Sequence, residues 1–191
     1  MLKVVFIGGP GTLVHAHAES FAEAAQLAVL NPGDVMRTHL REQSPFGLRL
    51  DQYIDADELV PSELVLEMML ESLASVKGGW VLANFPRTVT QAESLARHGH
   101  APTAVIELSV TDEQVRGRLR ERDERLGQCT EHDSAVMRRL VQHRELAAYY
   151  QFKGNLHSVS GQGGSPGFGD YEDVEERLKP VHRHLLAKGH G

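Results

Sequence analysis

Cysteine is nearly missing from this 191-residue chain: Cys129 stands alone, which excludes an internal disulfide and agrees with a reducing, cytoplasmic setting. Positive charge is not in excess. With a formal net charge of −6 there is no basic footprint for sequence-independent nucleic-acid binding, so any phosphate ligand must be drawn in by local arginines. No apolar stretch reaches membrane-spanning length, and the N-terminus enters a strand-like run without the charged, apolar and cleavage regions of a secretion signal. Internal repeats, coiled-coil heptads and cysteine-based zinc spacing are also missing. What remains is enough for a core. At 41% hydrophobic and 24% charged residues, the expectation is a single domain over 1–191 with small inserted lobes.

Apolar runs at Leu2 to Ile7, Ala28 to Leu30, Trp80 to Ala83, Ala104 to Leu108 and Leu156 to Val159 alternate with helical patterns. That alternation predicts an α/β fold with a five-stranded parallel sheet and helices on both faces. Glu19 to Leu30 is also Ala-rich with apolar residues at helical spacing, so helix and strand readings overlap at its end. Asn31-Pro32-Gly33-Asp34 reads as a helix start, with Asn31 as cap and Pro32 at the first helical position. The stretch from Glu63 to Leu73 reads as an amphipathic helix on the core, and Tyr171 to Leu186 as the last helix. Ligands on such sheets bind beyond the carboxyl ends of the strands. The glycine turn after Ile7, Asn31 and the segment Asn84 to Arg87 would therefore meet at one cleft.

That glycine turn, Gly8-Gly9-Pro10-Gly11-Thr12-Leu13-Val14-His15-Ala16, sits where a phosphate-binding loop belongs, after a strand and before a helix. In such a loop, backbone N–H groups close around phosphate, a lysine reaches the outer phosphates and a Ser or Thr hydroxyl holds magnesium. This turn has no lysine.

The chain resembles the adenylate kinase family, in its short-lid form, along nearly its whole length. The resemblance is carried by Gly8-Gly9-Pro10-Gly11, by Gly33-Asp34-Val35-Met36-Arg37, by Asp55 to Pro61, and by Phe85-Pro86-Arg87-Thr88 with Gln91. It implies a P-loop kinase-like fold, a monophosphate-binding lobe at residues 31–61 and a short lid at 122–133. It also implies that Arg37, Leu59, Val60, Arg87 and Gln91 surround AMP, with Gln91 reading the adenine edge. Arg87, Arg122 and Arg139 would serve catalysis, and Arg118, Arg122 and Arg139 would touch the triphosphate. The mixed-charge stretch from Arg116 to Glu124 reads equally well as a solvated helix face.

The departures from that family cluster on the triphosphate side, at Gly11 to Ala16, Arg118 and Gln128. Leu13 stands where the loop has glycine, Val14 where it has lysine, His15 where it has glycine and Ala16 where it has Ser or Thr. Ala83 replaces an aspartate that helps organise magnesium, Asn84 a glycine, Pro32 a hydroxyl residue, Gln128 a lid arginine and Thr130-Glu131 an aspartate pair. Leu13 and Val14 are expected to occupy part of the outer-phosphate space. His15 or His17 is one conceivable replacement for the lysine, but residues two apart on a helix face different ways, so they form no joint metal site. His98, His100, His182 and His184 read as solvated surface, and no metal-ligating set is expected.

Three functions follow. The first is a protein that binds AMP or a similar nucleotide with weak or absent ATP-dependent phosphoryl transfer. The second is an active adenylate kinase, which would need magnesium with its ATP. The third is an interaction module with a protein partner that the sequence does not identify. No resident cofactor, nucleic acid or membrane is expected.

Overall fold

Val5 and Ile7 belong to one apolar core and Val4 and Phe6 to another, the period-two alternation of a strand buried on both faces. This is β1 (Lys3–Gly8). The computed structural model describes residues 1–9, 12–56, 58–126, 133–161 and 169–189. Within them β1 lies at the centre of a parallel sheet with β2 (Ala28–Leu30), β3 (Trp80–Ala83), β4 (Ala104–Ser109) and β5 (Leu156–Ser160), in the order β2-β3-β1-β4-β5. In register, Phe6 stands beside Ala83 and Ile106, and Ile7 beside Glu107. The five expected strands are present, each within a residue or so of its apolar run.

Eight helices among the described residues cover the sheet: α1 (Val14–Ala25), α2 (Pro32–Arg41), α3 (Pro45–Asp55), α4 (Ser62–Ser75), α5 (Val89–Arg97), α6 (Asp112–Leu126), α7 (Asp133–Lys153) and α8 (Gly169–Gly189). One face packs Val5, Ile7, Leu82 and Val105 against Leu50 of α3, Met68 and Leu73 of α4, Leu95 of α5 and Leu146 of α7. The other packs Val4, Phe6, Val81 and Ile106 against Phe21 of α1 and Leu178 of α8.

The overlap at Glu19 to Leu30 resolves in favour of both readings in turn. α1 stops at Ala25 because Gln26 adopts the left-handed conformation (φ 54°) and Leu27 N–H returns to Ala22 O; residues 28–30 then pair with β3. Asn31 caps α2 as read, its Oδ1 accepting from Gly33 N–H (2.8 Å) and Asp34 N–H (3.2 Å), with Pro32 in the first turn. Residues 31–61 carry α2 and α3, which approach so closely that a Cβ on Gly47 would lie 2.2 Å from His39 O. Of the lid expected at 122–133, residues 127–132 lie outside the described residues. Residues 122–126 continue α6 and Asp133 already begins α7, while Gly11, Gln128, Thr130 and Glu131 lie outside the described residues. No described helix is long and apolar enough to cross a membrane.

Candidate functional site

Three elements meet beyond the carboxyl ends of β1 and β3 around a cleft of about 270 Å³. The end of β1 and its turn contribute Ile7, Gly8, Gly9 and Thr12; the connection after β3 contributes Asn84, Pro86 and Arg87; α7 contributes Arg139, Gln142, His143 and Leu146. Asn84 holds a positive φ of 58°, in the region glycine favours and asparagine tolerates best, and its N–H bonds Phe6 O at 3.1 Å. That turn aims the following residues back over β1.

Arg87 is partly desolvated at the cleft edge, its Nε donating to Asn84 O at 3.2 Å. Desolvation, with a smaller contribution from the Arg139 charge, lowers its pKa from the usual guanidinium value. Both arginines thus face one small space as like charges, an arrangement suited to an anion between them.

Gln91, buried on the first turn of α5, accepts from Arg87 N–H at 2.8 Å through Oε1 and donates to Ser62 Oγ at 2.9 Å through Nε2. In this structure its amide fixes the backbone of Arg87 and ties α5 to α4. Arg37 lies outside the cleft, 71% exposed, and pairs with Asp34 one turn earlier on α2. Leu59 is 94% exposed and Val60 packs partly on the core. Arg118 and Arg122 lie on α6, with their side chains outside the described residues.

The glycine turn differs from expectation. Val14 does not enter the phosphate space: it is 1% exposed and packs in the core with Phe6, Ala18 and Phe21, because the first turn of α1 directs it under the sheet. Leu13 is half exposed and does not line the cleft. Thr12 Oγ1 donates to Gly9 O at 2.7 Å.

His15 faces away from the cleft, toward α2. Its Nε2 is 3.2 Å from Glu19 and 3.4 Å from Asp34, and Asn31 Nδ2 lies 3.1 Å from its Nδ1. His17 is buried on the other side, 2.6 Å from Glu175 of α8. Neither replaces a lysine at the cleft. The described residues contain no group of three or more His, Cys, Asp or Glu able to hold a metal. His182 is not solvated surface either: it packs edge-on to Phe21 (4.7 Å between centroids), and its Nε2 is buried without a hydrogen-bond partner.

The imidazole that does line the cleft is His143, bonded through Nε2 to Glu107 Oε1 of β4 at 3.0 Å. The His143 bond is the main cause holding the Glu107 carboxyl below the usual carboxylate range. Sequence reasoning missed this pair, although the signal was present. Gln142, His143 and Leu146 stand three, four and seven residues after Arg139, on one helix face, and Glu107 is the one charge in β4, flanked by Ile106 and Leu108.

The adenylate kinase family model matches residues 6–184. The chain belongs to the adenylate kinase family. Similar relatives include adenylate kinase 1 of Nostoc sp., 33% identical over 84% of this chain and 91% of its own length. The adenylate kinase of Synechococcus sp. is 34% identical over 95% and 96% of the two chains, and that of Thermus thermophilus 33% identical over 84% and 89%. Family membership agrees with the P-loop kinase-like sheet.

Proposed function

We propose that this adenylate kinase family member binds AMP or a similar nucleoside monophosphate and transfers phosphoryl groups from ATP weakly or not at all. The observation that carries the reading is the fate of position 14. A valine packed into the core supplies neither charge nor hydrogen bond to a transferring phosphoryl group, whose catalysis is almost wholly positioning and electrostatic stabilisation. Removing one preorganised donor typically costs on the order of 10²–10³ in turnover, and Val14, Ala16 and Ala83 each lack such a function.

Magnesium does not fit the protein groups on the donor side. Ala16 and the fully buried Ala83 bring no side-chain oxygen ligand where the family has a hydroxyl and a carboxylate. On the acceptor side, Arg87 offers a guanidinium fork with its backbone held by Gln91, and Arg37, outside the cleft and paired with Asp34, would have to turn to the phosphate to add a second. The N-terminus of α1 has no side-chain cap and no acidic residue in its first turn, which favours an anion in the cleft beside it.

One observation favours the alternative of an active adenylate kinase: Arg139 and Arg87 line the same cleft as the glycine turn, so some transition-state charge could be met there. Calorimetry with AMP and with magnesium and ATP tests the proposal. AMP binding without comparable ATP binding is expected. Tight ATP binding with no AMP binding would overturn it.

A further inference from the structure

We propose that His143 is a proton-dependent binding residue of the cleft: when protonated it neutralises Glu107 and presents positive charge to a nucleotide phosphate, so that binding takes up a proton. The inference rests on the reading of the cleft as a nucleotide site and adds a residue and a coupling to it.

The geometry is built for such a coupling. Glu107 sits in β4 between Ile106 and Leu108, both fully buried, and its carboxylate is 13% exposed. His143, 11% exposed, bonds it at 3.0 Å, and it is the imidazole rather than the carboxylate that lines the cleft. With His143 neutral, the pair carries one negative charge directly behind an anion site. With His143 protonated the pair is neutral overall, and its positive half is the half the cleft meets.

The surrounding charges oppose each other. Arg139 from the same face of α7 and Arg87 from the connection after β3 repel a third cation, while Glu107 from β4 attracts one. Ser158 of β5 stands beside Glu107 in register and also favours its charged form, and Arg144, the next residue of α7, is paired with Asp112 of α6. A phosphate entering between the arginines cancels the repulsion and leaves the attraction. Imidazole changes charge within the neutral pH range, so this shift is drawn from solution protons. By linkage, whatever proton binding does for the phosphate, the phosphate does for the proton.

The test is titration calorimetry of AMP and of ADP at one pH in two buffers of different ionisation enthalpy, which reads the protons taken up on binding. It is run on the wild-type protein, His143→Gln and Glu107→Gln. The phosphate's own second ionisation lies near pH 6, so the measurement is made at about pH 8, where the free nucleotide is almost fully ionised and contributes little.

Wild type is expected to take up a fraction of a proton more than His143→Gln. Its affinity should fall, relative to that variant, by up to about tenfold per pH unit as pH rises through the neutral range. Glu107→Gln should bind more tightly than wild type at the alkaline end, because no carboxylate then stands behind the anion. Its response provides the second arm if His143→Gln folds poorly. Equal proton uptake in wild type and His143→Gln, or unchanged alkaline affinity in Glu107→Gln, overturns the inference while leaving the nucleotide site intact. No binding of either nucleotide by the folded wild-type protein overturns both.

Discussion

Val14 lies directly against Gly8: a Cβ added to Gly8 would come within 2.6 Å of Val14 Cγ2. The side chain in the lysine's position is therefore part of the floor beneath the glycine turn. Restoring the loop meets a cost from the core. The combination Leu13→Gly, Val14→Lys, His15→Gly, Ala16→Thr and Ala83→Asp should recover some ATP affinity. It should also lower the thermal midpoint, since Val14 is 1% and Ala83 0% exposed and charges placed there lose hydration. Calorimetry and thermal unfolding on one preparation check both halves. A folded variant with no gain for ATP would mean that turn shape or the lid, including Gln128, is also incompatible.

Arg37 separates ligand binding from surface pairing. Arg37→Ala should weaken AMP binding by about 1.5–3 kcal/mol, the range for a hydrogen bond to a charged group. Arg41→Ala, which removes another arginine of α2 lying 3.8 Å from Glu42, should leave AMP affinity unchanged. Equal effects of the two substitutions would reduce Arg37 to a solvated ion pair with Asp34.

Glu107 sets an acid-side dependence. Its folded pKa is depressed, so its contribution is present above the unfolded value and lost as pH falls through the folded one. Below about pH 4.5, wild type should lose stability more steeply than Glu107→Gln. Parallel curves of unfolding midpoint against pH would contradict this.

His182 acts at higher pH. Burial is the main cause of its lowered pKa, so the folded protein takes up that proton less readily than the unfolded chain does, and stability falls as pH drops below the ordinary imidazole value. His182→Phe should flatten that slope. It should also gain about 1–3 kcal/mol, the cost of an unsatisfied buried polar group, by removing the unpartnered Nε2 beside Phe21. Denaturant unfolding at two pH values measures both effects.

The elements were legible in the sequence wherever one physical rule dominated. Apolar runs such as Trp80 to Ala83 can satisfy only a doubly buried strand, and Asn31 with Pro32 has the chemistry of a helix start. The direction of side chains was less legible. That Val14 turns into the core, that His15 faces Asp34 and that His182 packs on Phe21 depend on how α1 and α8 sit on the sheet, which local pattern does not encode. Gln91 shows the same limit: the helix position was readable, whereas the bond from Arg87 N–H to its side chain required the fold. Glu107 and His143, from distant segments, meet only through the β1·β4 pairing and the placement of α7 over it.

The most direct measurement of the central claim is ADP formation from ATP and AMP with magnesium, by wild type and by Arg87→Ala purified identically from a host lacking its own adenylate kinase activity. The account predicts that both preparations stay at or near the blank even at high protein concentration. Rapid ADP formation by wild type that Arg87→Ala abolishes would contradict it, and would make this chain an active adenylate kinase without the loop lysine.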